Sequence, residues 1–517
     1  MRRGSLWAFA MIGGGCLNPP VAPPAVIVTQ ETRAHVDQNV KNHVDLLFMV
    51  DNSPSMTPKQ EALKSKFPEL IKVLDEFNAS GHPAWYHIGV VTSDLGAGPK
   101  PLGSNCKVVG GDGGRLQAKG VAAALSCGDL GADTSTAKPA RYIDYDQIHS
   151  KNNLPAGQDL PQTFGCMASV GNDGCGMEHQ LESAYKALRR DPIVENTGFL
   201  RSEALLVVVF VTDEDDCSAP PTTDLFDPFK INEYGASDSY RCTHYGLTCG
   251  DPAAPPPYGS SMGPLAMCVA APNLNEAGPG KLFDVSRYIN YFTKARLQGG
   301  IKDNPDDVIL ASIAAPGPSL GAVVQTILTS NPQTTAGTPY VECAGPISKN
   351  CAVALQHSCT AASDTKFSGD PAVRLSQVVR AAKEHQETSI CNTDYAPALQ
   401  NLGQLIVDKI GTGCLGAAID DRKKPDCVVE DVTPLSDGTN QLKSLSRCAD
   451  CSTMPYSVTP TCWCLVDNPS CPAIVSPRDK MEEHFSVRVC RDETCSDTPT
   501  PAGTFTDIAC ATIAATK

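Results

Sequence analysis

Val44-Asp45-Leu46-Leu47-Phe48-Met49-Val50-Asp51-Asn52-Ser53-Pro54-Ser55 is a nearly continuous apolar run that stops at an aspartate and turns. Such a run suits a strand buried on both faces, which belongs to a parallel sheet covered by helices. A helix follows, with Leu63, Phe67, Leu70, Ile71, Leu74 and Phe77 on one face and a kink expected at Pro68. A second strand, Tyr86 to Thr92, comes next. The most apolar strand of the chain, Ala204 to Val211, ends at Thr212-Asp213. A short helix carrying Leu181, Tyr185 and Leu188 leads into it. Beyond it lie a helix over Phe283 to Ala295, a strand over Asp307 to Ala314, and helical patterns over Val373 to Ala382 and Leu399 to Ile410. Strands alternating with helices predict an α/β fold with a doubly wound, mostly parallel sheet.

That alternation is broken twice, near residues 96–174 and 214–280, by irregular Gly- and Pro-rich stretches that read as insertions. Beyond Gly413 the helical period disappears, and ten of the 23 cysteines fall between Cys414 and Cys510. Residues 413–517 therefore read as a small Cys-rich β module, and residues 42–412 as the main domain with its insertions. So many cysteines suit an oxidising compartment, where they cross-link. With the N-terminal Cys16 set aside, the other 22 divide into even regional groups: four from Cys106 to Cys175, four from Cys217 to Cys268, four from Cys343 to Cys391, and ten in the tail. Mostly local pairing is expected, with a cross-region pair such as Cys175 with Cys217 left open. Cys448-x-x-Cys451 and Cys462-x-Cys464 have zinc-like spacing, but an exported chain favours disulfides there.

The N-terminus opens with Arg2 and Arg3, a short apolar run from Leu6 to Ile12, three glycines and Cys16. The order of charge, apolar stretch and small residues reads as a secretory signal, too short to span a bilayer. Its end resembles the lipobox of bacterial lipoproteins, with Gly13 where that motif usually has Leu. The resemblance implies a lipidated Cys16 and residues 1–16 as signal. Residues 17–41, Pro-rich at their start, read as a tether. Any membrane attachment would then be through lipid alone, at the outer membrane or cell surface.

The chemistry gathers where the two best strands end. In an open doubly wound sheet, ligands bind at the carboxyl edge, at the point where the strand order reverses. If the two strands are neighbours, Asp51, Ser53, Ser55 and Asp213 converge there. Hydroxyls and carboxylates form an all-oxygen set suited to a hard cation such as Mg²⁺, with Ca²⁺ and Mn²⁺ as relatives. Glu214, Asp215 and Asp216 read as a solvated acidic loop, and Thr92-Ser93-Asp94 as a cap or turn.

DNSPSM after VDLLFMV resembles the D-x-S-x-S signature of von Willebrand factor type A domains. VVVFVTDEDD resembles that family's later strand ending in T-D-G, with Glu214 at the Gly position. The resemblance covers residues 42–412 and implies a metal-ion-dependent adhesion site. Ser53 and Ser55 would bind the ion directly, and Asp51 and Asp213 directly or through water. The family also supplies a Thr from an intermediate loop, where this chain has Gly174-Cys175-Gly176-Met177-Glu178. Glu178 would substitute as a ligand, making the site more anionic and less receptive to a carboxylate-bearing partner.

The net charge of −15 argues against nucleic-acid binding. There is no phosphate-cradling loop and no H-E-x-x-H. His82, His87, His179 and His244 are scattered, and each reads as a surface or core residue. The expectation is a non-enzymatic, exported protein that binds a divalent ion and, through it, an acidic group on a protein partner. The alternatives are an envelope protein whose ion is purely stabilising and, remotely, a metal-dependent hydrolase.

Overall fold

The computed structural model describes residues 32–35, most of 42–410 and most of 415–512. Residues 1–31, 36–41, 251–264, 272–280, 332–340, 344–350, 449–460, 492–503 and some shorter stretches lie outside that description. The residues read as a signal, with Cys16, are among them.

The main sheet is built from β1 (His43–Val50), β2 (Trp85–Thr92), β3 (Ile143–Asp146), β4 (Lys151–Asn152), β5 (Leu205–Val211), β6 (Val308–Ala314) and β7 (Glu384–Ser389). Its order is β7-β6-β5-β1-β2-β3-β4. The five strands from β7 to β2 run parallel, and β3 and β4 close one edge antiparallel. The chain winds from β1 to one side and then crosses to β5 on the other, with Val50 opposite Val211. That crossing makes the carboxyl ends of β1 and β5 the switch point of an α/β doubly wound fold.

Six helices cover the two faces: α1 (Thr57–Ala79), α2 (Leu160–Ala168), α3 (Gln180–Ala187), α4 (Ser286–Thr293), α5 (Val373–Ala381) and α6 (Ala396–Ile410). Successive strand side chains point to opposite faces. Leu46, Phe48 and Val50 join Val207 and Val209 in a core under α1, α2 and α6. Leu47 and Met49 join Leu206, Val208 and Phe210 under α3, α4 and α5. Hence the run at 44–50 is apolar at every position but Asp45: both parities are buried. On the first face Phe67 stacks on Phe164 at 3.6 Å and Phe48 meets Phe164 at 4.8 Å. Phe164→Ala is expected to cost about 3–5 kcal/mol, since the stacked rings cannot collapse into the space left. Chemical denaturation measures it, and a loss below about 1 kcal/mol would show that the cluster is loosely packed.

α1 runs through Pro68 as one helix to Ala79, with its apolar stripe on the sheet and on α6. Two expectations need correction. The first insertion is not wholly irregular: it supplies β3, β4 and α2, which are too short for a clear period. The stretch read as a tether contributes Thr32–His35 as an edge strand of the tail sheet, antiparallel to residues 505–512. That pairing is non-local, and four residues carry no sequence signal for it.

The tail contains β8 (Cys427–Pro434), β9 (Asn440–Ser444), β10 (Cys462–Asp467), β11 (Phe485–Cys490) and β12 (Phe505–Thr512). One sheet runs Thr32–His35, β12, β8, β9, and the other pairs Ser446–Arg447, β10 and β11. Its core is small, centred on Val429, Trp463, Val487 and Ile508. Disulfides join Cys427 to Cys510 and Cys448 to Cys462 there. In the main domain the pairs are Cys106–Cys175, Cys127–Cys166, Cys217–Cys242, Cys249–Cys268, Cys343–Cys351 and Cys359–Cys391. Every one of these bridges stays within its region.

Candidate metal centre

The site begins with the turn after β1. The Asp51 amide donates to the Val211 carbonyl at 3.0 Å, which holds the turn against the end of β5. The Asp51 carboxylate then accepts from the Ser53 amide at 2.8 Å, the Thr212 hydroxyl at 2.7 Å and the Ser93 hydroxyl at 3.3 Å. Ser53 and Ser55 bring their hydroxyl oxygens to 3.2 Å, and the Ser55 hydroxyl donates to Asp213 Oδ1 at 3.0 Å. Asp51, Ser53, Ser55 and Asp213 therefore lie in one place, from two strands adjacent in the sheet but distant in sequence. At the base of α1, Gln60 ties the turn down by donating to the carbonyls of Asp51 and Gly171, both at 2.8 Å.

The fifth candidate arrives on the loop before α3. Gly174 passes so close to Asn52 that a Cβ there would fall 2.3 Å from its side-chain oxygen, and the Gly174 amide donates to the Asn52 carbonyl at 2.9 Å. Only glycine permits that approach. Four residues on, Glu178 is fully buried, neither of its carboxylate oxygens makes a well-formed hydrogen bond, and the Glu214 carboxyl lies against it. A buried carboxylate without such bonds is costly. Burial pushes its pKa well above the ordinary value, and the Asp51 charge raises it further. Burial and then the Asp213 charge likewise push Asp51 up to about 6. Glu214 is raised well above its usual range by burial and by Glu178. These carboxylates repel one another in a medium that screens poorly.

The donor set consists of carboxylate and hydroxyl oxygens, and Glu178 has unused lone pairs. The residues fit a small, hard divalent ion. Asp51, Ser53, Ser55, Asp213 and Glu178 would hold it, and it would supply charge neutralisation and cross-bracing of three loops.

Several residues here escaped the sequence reading. Ser93, read as a cap or turn, donates to Asp51. Lys59 is wholly buried and places its ammonium 2.5 Å from Asp213 Oδ2. Both lie one or two turns beyond recognisable motifs, where residue type alone carries no signal. The acidic run 214–216 is also corrected, since Asp215 and Asp216 are buried. Asp216 pairs with Arg374 at 3.0 Å, and Asp215 accepts from the Arg374 and Leu375 amides at the start of α5. They clamp a helix rather than face water.

The insertions meet beside the site. Ala97, Cys175, Met177, Cys217, Leu225, Phe226 and Tyr234 form an apolar cluster of their own, joining both insertions beside the Glu178 loop. Asp51, Ser53 and Asp213 are buried, and Ser55 is half-buried. The joined insertions thus pack beside the Glu178 loop, and the site residues are largely shielded from solvent.

Two other groups of ligand-type residues occur among the described residues. Cys448, Cys464 and Cys490 are all in disulfides and offer no thiolate. His87, Asp133 and Asp144 sit under β3, where the carboxylates already have donors. Asp133 accepts from the Tyr142 hydroxyl at 2.7 Å and the Thr136 amide at 2.6 Å, and Asp144 from the Trp85 indole at 2.5 Å and the Thr134 amide at 2.6 Å. Burial and the Arg201 charge hold His87 below its usual pKa. We read this as a polar clamp for the edge of the sheet.

No protein-family model and no curated protein matches the chain. Among solved structures it is similar to a von Willebrand factor type A protein from Catenulispora acidiphila, at 10% identity and a TM-score of 0.25, covering 94% of this chain and 62% of that one. It is also similar to the pilus adhesin SpaC from Lactobacillus rhamnosus GG in its open conformation, at 9% identity and a TM-score of 0.31, covering 92% and 40%. A third is proximal thread matrix protein 1 from the mussel byssus, at 13% identity and a TM-score of 0.18, covering 39% and 37%. At these scores the likenesses bear on neither activity nor partner. No helix among the described residues is long and apolar enough to cross a membrane.

Proposed function

We propose that this chain is an exported binding protein, not an enzyme, with a von Willebrand factor type A-like domain that holds a divalent cation, Mg²⁺ or a close relative, at the β1–β5 switch point. The observation that carries the reading is Glu178: a buried carboxylate with no well-formed hydrogen bond, beside Asp51 and Asp213. The bridges support export, because such a set survives in an oxidising compartment. Lipidation of Cys16 and attachment at the cell envelope belong to the same proposal.

Burial of the ligands favours an ion that organises the loop edge over one that offers an open coordination position to an acidic partner. A protein partner would then meet the edge around half-buried Ser55 and the insertions. Calorimetric titration of the EDTA-treated protein with Mg²⁺ and Mn²⁺ tests the cation. One ion bound per chain with a raised melting temperature is expected, and both effects should vanish in Asp51→Ala. Absence of binding by the wild type at millimolar metal overturns the reading.

The raised pKa of Asp51 gives the pH dependence its sign. Its folded value, about 6, lies above its unfolded value of 3.8. The metal-free fold therefore takes up a proton between those values and is penalised above pH 6, by about 3 kcal/mol for a shift of this size. An ion needs the ionised form, so its stabilising increment should grow as pH rises from about 4 to 7. Burial drives His179 down to about 4, which makes the fold less stable as pH falls below 6.5. That contribution is common to both forms and cancels in the difference. Thermal melts with Mg²⁺ and with EDTA at several pH values measure the increment, and one that shrinks as pH rises would contradict the assignment.

A further inference from the structure

Resting on that reading, we propose that Lys59 is a built-in rival of the metal ion. Its ammonium holds Asp213 and neutralises part of the acidic cluster, so that ammonium and divalent ion bind antagonistically at one centre. Lys59 lies in the first turns of α1, and its side chain is fully buried. Its Nζ reaches Asp213 Oδ2 at 2.5 Å and the Ser55 carbonyl at 3.3 Å. The Ser55 hydroxyl takes the other Asp213 oxygen. Both oxygens of this carboxylate are thus occupied by the chain itself, while those of Glu178 make no well-formed hydrogen bond.

A buried ammonium is stable only beside a carboxylate, and here it finds several. Asp51, Glu178, Asp213 and Glu214 interact with one another, and Lys59 is paired to the group within. A divalent ion arriving among these oxygens meets a positive charge already in place. Removal of that charge should let the ion bind more tightly and leave the metal-free cluster less balanced. The wild-type lysine therefore keeps the loop edge folded without metal, at the expense of metal affinity.

The test compares the wild-type full chain with Lys59→Met, which keeps the apolar stem, and Lys59→Gln, which keeps a donor but not the charge. Mg²⁺ and Mn²⁺ affinities are measured by calorimetry, and melting temperatures with and without EDTA. The expected result is affinity raised about 10- to 100-fold in both variants. The metal-free melting temperature should fall, and saturating metal should restore it. A purely packing role for Lys59 would lower both melting temperatures together and leave affinity unchanged, which overturns the proposal. Unchanged affinity in Lys59→Gln alone shows that charge is not the operative property, and also overturns it. If the wild type binds no metal but the variants do, the lysine proposal stands and the metal reading of the native protein fails. If none binds, both fail.

Discussion

Replacement of Glu178 by glutamine is expected to raise the melting temperature of the metal-free protein while removing from about half to most of the stabilisation that a divalent ion gives. The two effects have one cause. Without an ion, Glu178 loses no well-formed hydrogen bond on substitution. It sheds a carboxyl whose ionised form burial and Asp51 make unfavourable. With an ion, the same oxygens become ligands, and an amide is a weaker one. An ion at about 100 times its Kd contributes about 2.7 kcal/mol. Loss of one ligand should cut affinity by at least the roughly 10- to 100-fold seen for outer-shell partners, which at the same metal concentration erases from about half to most of that contribution. Opposite shifts in EDTA and in Mg²⁺ are the signature. If Glu178→Gln melts lower than the wild type in EDTA and responds equally to metal, Glu178 is an internal packing group and not a ligand.

The second large effect concerns the tail. Its core is a handful of residues around Trp463 and Ile508, against the far larger cores of the main sheet. Cys427–Cys510 ties β8 to β12 and spans 83 residues. On the chain-entropy account such a bridge is worth about 4.5 kcal/mol, comparable to the whole stability of a small core. The double variant Cys427→Ala/Cys510→Ala should therefore unfold the tail at temperatures where the main domain stays folded. Calorimetry should split into two transitions, and limited proteolysis should release a fragment ending near residue 413. The edge strand Thr32–His35 loses its partner at the same time, so cleavage near residues 32–41 should accompany it. A single transition at the wild-type temperature would show that the tail core is self-sufficient.

Much of the main domain was legible because burial on both faces leaves a mark in residue type. The runs at 44–50 and 204–211 suit interior parallel strands of this kind, and each ends in the polar residues that the turn requires. The strands β3 and β4 left no such mark: at four and two residues they are shorter than the pattern that identifies a strand. Thr32–His35 is the same case, a strand only because β12 lies beside it.

The sequence by itself determined the fold class, the wealth of cysteines available for cross-linking and the four oxygen-bearing residues at the ends of two strands, since each of these follows from local composition and period. Tertiary structure alone decided that those ends are neighbours, that Glu178 is buried without a well-formed hydrogen bond, that Lys59 reaches Asp213 and that the two insertions pack together beside the Glu178 loop. Each of the latter depends on groups brought together from far along the chain, and a carboxylate's or ammonium's meaning is set by what stands within a few ångströms of it rather than by what precedes it.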